Sequence, residues 1–194
     1  MTTAEIVTVI LASLSLIVSL ATAYLTLFAR FKGVVLPRRR IFLVNRNSEY
    51  WLIFDCEFVN QGARPGLVED IRVEMDNPET GLPFIFNPHF VRDQFSIYQE
   101  FRVEDYYLFT GISLDAKQKK ELFVVFKPDR PDFEPPNGVI GLHTNYRNDT
   151  RSSKWVKSHV RMTFNFDENV SRQWSSSLGR PQQISAVEIV QSRH

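Results

Sequence analysis

Residues 6–28 read IVTVILASLSLIVSLATAYLTLF, a run of 23 residues without a charge, a proline or a glycine. As a helix the run is roughly 34 Å long, which matches a hydrocarbon core of about 30 Å with slight tilt. A helix of a soluble core would normally interrupt such a run with a polar face. Here the only polar side chains are Ser, Thr and one Tyr, which an isolated helix carries in lipid. The run is therefore expected to be a transmembrane helix that follows a short N-terminal tail, residues 1–5, and holds the rest of the chain at a membrane. The competing reading is a cleaved secretory signal, because Ala21, Thr22 and Ala23 form a small-x-small pattern. Two features oppose it: residues 1–5 hold no Lys or Arg, and the apolar run continues past that point to Phe28.

The flanks of the run set its orientation. After it come Arg30, Lys32, Arg38, Arg39 and Arg40, in a stretch (29–40) that reads as a basic juxtamembrane linker. Before it stand only Glu5 and the α-amino group. The positive-inside rule keeps a basic flank in the cytoplasm, so a single-pass protein with a cytoplasmic body is expected. The five cations would lie at the inner leaflet, where each is worth about 1 kcal/mol against anionic lipid. The plainer reading makes them stop-transfer charges and nothing more.

Within the run, Thr8, Ala12, Ser15, Ser19, Thr22 and Thr26 follow a 4-3-4-3-4 spacing and share one seam of a helix of period 3.5. Small residues let a second helix approach closely, and association in lipid depends on fit and inter-helix hydrogen bonds. The expected partners are thus membrane lipid and another transmembrane helix, from a second copy or a different protein. The alternative is that the hydroxyls bond back to their own helix.

Beyond the anchor about 165 of the 194 residues remain, enough for one domain with a full core. A formal net charge of +1 argues against a general nucleic-acid binder, which would carry a strongly basic domain. A single cysteine excludes an intramolecular disulfide and a Cys-cluster metal site.

The body (41–166) reads as β structure. Val34 to Asn45 suggests a first strand, interrupted by Pro37 and three arginines and so expected at an edge or in a linker. In Tyr50 to Asn60, Leu52, Phe54, Cys56 and Phe58 alternate with Ile53, Asp55, Glu57 and Val59, the period of a strand with one face toward a core. Cys56 falls on the apolar face and reads as a buried core thiol. Asn60-Gln61-Gly62 and Arg64-Pro65-Gly66 are turn signals, followed by a strand in which Ile71, Val73 and Met75 share a face. Glu121 to Lys127 is apolar on both faces and reads as a central strand, and the four prolines between Lys127 and Gly138 predict a stiff loop. Val139 to Tyr146 and Lys154 to Phe166 form a hairpin. Pairing Ile140 with Met162, Leu142 with Val160 and Tyr146 with Val156 keeps apolar residues together and sets His143 opposite His159. Two imidazoles there would serve as a metal-chelating or pH-sensing pair if a further ligand joined them. Residues 167–194 turn polar and read as a tail with a short docking element at Ile184, Val187 and Val190.

The strand, Asn-x-Gly turn, Pro-containing turn and strand between Tyr50 and Pro78 resemble the B and C region of immunoglobulin-like sandwiches in membrane-anchored or exported microbial proteins. That resemblance implies an all-β antiparallel sandwich of immunoglobulin-like type. The Cys-Trp-Cys framework is missing, so no antibody-type function comes with it.

No Gly-rich phosphate loop, His-Glu-x-x-His helix or Gly-x-Ser-x-Gly elbow occurs, so no enzyme, cofactor or catalytic residue is expected. The sequence points to a non-enzymatic accessory or scaffold subunit that binds protein partners at a membrane. Two alternatives stay open. One is an extracytoplasmic adhesion or envelope module, for which the sequons at Asn148 and Asn169 would matter in a eukaryote. The other is a tethered enzyme with its site in the aromatic stretch Phe84 to Phe109, whose mixed periodicity predicts an irregular connection with one short helix over Val91, Phe95 and Tyr98.

Overall fold

The structure, a computed structural model, describes residues 2–27, 29–46, 48–94, 102, 106–149, 154–176 and 179–191. The apolar run forms one helix, α1 (Thr3–Leu27). Its first turn closes with a reciprocal cap, in which the Thr2 amide donates to the Glu5 carboxylate (2.8 Å) and the Glu5 amide donates to the Thr2 hydroxyl (3.4 Å). Thr3–Tyr24 is long and apolar enough to cross a membrane, and no part of that span is buried against the rest of the chain.

Among the described residues eleven antiparallel strands follow: β1 (Gly33–Arg46), β2 (Glu49–Asn60), β3 (Gly66–Met75), β4 (Phe84–Arg92), β5 (Tyr107–Leu108), β6 (Ile112–Leu114), β7 (Lys119–Pro128), β8 (Gly138–Asn148), β9 (Val156–Phe166), β10 (Gln182–Ser185) and β11 (Glu188–Gln191). A second helix, α2 (Glu168–Ser176), precedes the last two. The strands hydrogen-bond into one continuous sheet of order β10-β1-β2-β7-β4-β3-β8-β9-β11, with β5 on β4 and β6 on β3. The antiparallel β fold is as expected. It is a single sheet curled into a half-barrel, and its strand order singles out no immunoglobulin-like type. The curl follows from alternation: β1, β2, β3, β7, β8 and β9 each send every second residue to one shared core that includes Leu43, Phe54, Val73, Phe126, Leu142 and Phe164. β1 is an integral strand of this core, with β2 along one side and β10 on Arg40–Leu43 along the other. A register shift between Pro37 and Ile41 absorbs the proline and the arginines.

Curling brings β1 back toward β8 and β9, where the Asn148 amide donates to the Gly33 carbonyl (3.0 Å) and the Ser158 hydroxyl to the Val35 carbonyl (3.4 Å). Residues 182–191, expected to be a polar tail, fill the rest of this seam. β10 pairs with β1, and β11 pairs with β9. The switch falls at two successive amides, Ala186 donating to the Arg39 carbonyl and Val187 to the Thr163 carbonyl, both at 2.8 Å. One extended segment therefore ties the two edges of the sheet together. Its strands are four residues each and mostly polar, so the pairing edges, and not its own sequence pattern, make it β.

α2 caps the end of the barrel far from α1. Asp167 accepts from the Val170 amide (2.8 Å) as its N-cap, and Trp174 is the residue it buries. The Trp174 indole N–H donates to the Val44 carbonyl (3.0 Å), and its ring packs against Tyr50, Phe133 and Phe166. Phe133 comes from the proline loop, which is thereby a plug as well as a connection.

The hairpin register differs from the expected one. Tyr146 faces Val156 as expected, but Leu142 faces Met162 and Ile140 faces Phe164. A shift between His143 and Asn145 places two extra residues on β9, so His143 faces Arg161 and not His159. A bulge inside the strand is invisible to a register argument that assumes uninterrupted pairing.

Candidate interaction site at the anchor junction

The segment between α1 and β1 does not run free. The Ala63 amide donates to the Ala29 carbonyl and the Gln61 amide to the Lys32 carbonyl, both at 2.9 Å. These bonds fasten the linker to the β2–β3 turn. Asn60, 1% exposed, holds that turn. Its side-chain oxygen accepts from the Gly62 amide (2.8 Å) and the Lys32 amide (3.4 Å). Its amide group donates to the Arg64 and Asp115 carbonyls, both at 2.8 Å. One side chain thus joins the linker, the β2–β3 turn and the β6–β7 turn.

Three glycines make the close approach sterically feasible. A Cβ on Gly62 would collide with the Arg30 carbonyl, one on Gly66 with the Phe31 ring, and one on Gly33 would lie 2.7 Å from that ring. Phe31 sits in this cradle and packs against the main core. It plugs the anchor end of the barrel as Trp174 plugs the other.

The surface of this end is basic. Arg30, Lys32, Arg64 and Lys117 are exposed there. Lys117, in a left-handed conformation (φ 58°), donates its ammonium to the Gln61 carbonyl at 2.5 Å. The carboxylates nearby are Asp115 and Asp149, both exposed.

The other arginines expected at the membrane are distributed differently. Arg38 leaves the linker for the outer sheet face, where it meets Asp55 (3.5 Å), Glu57 (3.9 Å) and Glu121 (2.5 Å). Arg39 and Arg40 are exposed beside the bulge of β1. Asp55 is 3% exposed, and burial raises its pKa even with Arg38 and Arg40 pulling the other way.

On the anchor, three of the seam hydroxyls bond back. Thr8 donates to Ala4 (2.9 Å), Ser19 to Ser15 and Thr22 to Val18 (both 2.8 Å), which satisfies those hydroxyls and leaves the small-residue profile open. The side chain of Thr26 lies outside the described residues.

His143 is largely buried on the outer face, with Asp76 3.9 Å from its Nε2. Burial and Lys157 push its pKa down. The side chain of His159 is outside the described residues, and among those described no group of three or more His, Cys, Asp and Glu is placed to hold a metal. Cys56 is fully buried and its thiol is pushed far up by that burial.

The aromatic stretch divides between the two faces of the sheet. Phe84 and Phe86 pack on Phe133 inside, while Phe90 packs with Trp51 and Tyr106 in a smaller outer cluster. Val91 lies in β4, whereas Phe95 and Tyr98, and with them the expected short helix, fall outside the described residues. An open depression of about 340 Å³ lies beside this stretch, lined by Val91, Arg92, Tyr107, Ile112, Lys120 and Leu122.

No protein-family model and no curated protein matches the sequence. A solved structure of a candidate lipoprotein (ycdA) from Bacillus subtilis is similar over 72% of this chain and 40% of that one, at 13% identity and a TM-score of 0.39. A likeness that slight carries no argument about activity. The chain is one apolar N-terminal helix followed by an antiparallel β domain.

Proposed function

We propose that the chain is a single-pass membrane protein whose β domain is a non-enzymatic interaction or scaffold module, held close to the bilayer by α1. The supporting observation is the fastening of Ala29 and Lys32 to Ala63 and Gln61 immediately after a helix long enough to span. A tether meant only to retain an enzyme near a membrane works with a loose linker. Two extra backbone hydrogen bonds, a buried Asn and a glycine cradle instead fix how the domain is presented, which is what a positioning subunit needs. Partners would meet the small-residue seam of α1 in the membrane and the outer sheet faces beside it. The basic flank favours a cytoplasmic domain.

The test is purification in mild detergent of the chain and of a Ser15→Leu/Ser19→Leu variant. A stoichiometric membrane-protein companion lost in the variant is the expected result. A stoichiometric small molecule in place of a protein would favour an enzyme using the depression beside Tyr107.

A further inference from the structure

The geometry points to a lipid-docking face on the β domain itself: the end formed by Ala29–Lys32, the β2–β3 turn and the β6–β7 turn rests on the anionic headgroups of the bilayer that α1 enters. This rests on the proposed membrane anchoring and adds a second, separate contact with the same membrane.

Three observations carry it. The first is proximity: Ala29, two residues past the last residue of α1, is already hydrogen-bonded to Ala63 of the domain. At no more than about 3.6 Å per residue, the β2–β3 turn lies within roughly one headgroup layer of the end of α1. The second is charge: Arg30, Lys32, Arg64 and Lys117 are exposed on this end against two carboxylates, Asp115 and Asp149. Several cations elsewhere on the surface are matched, as Arg38 is by Asp55, Glu57 and Glu121, Arg147 by Glu69, and Arg161 by Asp76. Among the described residues Arg30, Lys32 and Arg64 form no ion pair. The third is rigidity: with Gly62 and Gly66 packed against Arg30 and Phe31, Arg64 and Lys117 keep a fixed place relative to the linker. Cations on a rigid face pay less ordering entropy to meet phosphates than cations on a mobile linker. Anionic headgroups are the occupant that matches this charge and lies within reach.

The test uses the full chain in vesicles. Cys56 is fully buried, so a single introduced cysteine can be labelled selectively in the folded protein. An environment-sensitive dye is placed at Gln61→Cys on this end, or at Leu82→Cys in the exposed β3–β4 turn, about 30 Å away along β3. Protein is reconstituted in phosphatidylcholine vesicles with or without 30% phosphatidylglycerol, and a headgroup spin-labelled lipid serves as quencher. Quenching at position 61 is expected to exceed that at 82 severalfold and to rise with phosphatidylglycerol. Arg64→Glu should cut the phosphatidylglycerol-dependent part by roughly fivefold or more, the effect of about one interfacial cation. Equal quenching at 61 and 82, or quenching at 61 indifferent to phosphatidylglycerol and to Arg64→Glu, would overturn the docking face while leaving anchoring intact. Protein that fails to float with the vesicles would overturn the anchoring as well.

Discussion

The ring of Phe31 occupies the place a side chain on Gly66 would take, so the residue that enters the domain from the anchor is seated against a bare backbone. Gly66→Ala must displace that ring at its Cγ and Cδ atoms, which cannot swing away as the tip of a flexible chain would. Gly62→Ala is tighter still, because it meets the Arg30 backbone. Each is expected to cost about 1–3 kcal/mol of domain stability, read from denaturant midpoints at unchanged slope. Faster proteolysis after Arg30 should accompany the loss.

Asn60 gives a second, independent handle on the junction. Asn60→Ala orphans the Gly62 amide and the Arg64 carbonyl, leaves the Asp115 carbonyl with the Gln118 amide alone, and is expected to cost about 3 kcal/mol. Asn60→Asp keeps the acceptor but turns a carboxylate oxygen toward those two carbonyls. It should be no better tolerated at neutral pH, and thermal unfolding of both variants distinguishes this from a role in the turn alone.

At the opposite end, Trp174→Phe keeps the ring packing on Tyr50, Phe133 and Phe166 but removes the bond to Val44. A loss of about 1 kcal/mol is expected for it, against about 3–5 kcal/mol for Trp174→Ala. Equal losses would mean that the indole N–H contributes most of the stabilisation.

These residues show what the sequence discloses and what it hides. The helix Thr3–Leu27 and the strands around Phe54 and Val124 are legible because burial on one face, or on both, leaves a periodic record. Phe31 leaves none, and Asn60 is legible only as part of a turn signal. The partners of Phe31 are glycines, and two of the four backbone partners of Asn60, Lys32 and Asp115, come from segments distant in sequence. The seam strand 182–191 is polar and short, and it exists only because β1 and β9 offer unpaired edges. The His143 register fails for a related reason, since the two extra residues on β9 have no compositional mark.

His143 also makes a pH prediction. The neighbours that face it are Lys157 and Arg161, which together with burial depress its pKa, and Asp76 and Glu74, which oppose the shift. Because the folded value is the lower one, the unfolded chain binds a proton first as pH falls below about 6.5. The stabilisation present above that pH is therefore lost as pH drops from there through the folded pKa. His143→Gln should flatten this part of the stability profile between pH 7.5 and 5.5, measured as the difference in denaturant midpoint from the parent chain.

The central claim is that α1 holds this β domain at a membrane with the domain on the cytoplasmic side. It is tested most directly by matched C-terminal reporter fusions of the full chain, one fluorescent only in the cytoplasm and one active only outside it, assayed in alkaline-washed membranes. The account predicts cytoplasmic fluorescence that stays with the washed membranes. A signal released by the wash, or activity from the external reporter alone, would contradict it.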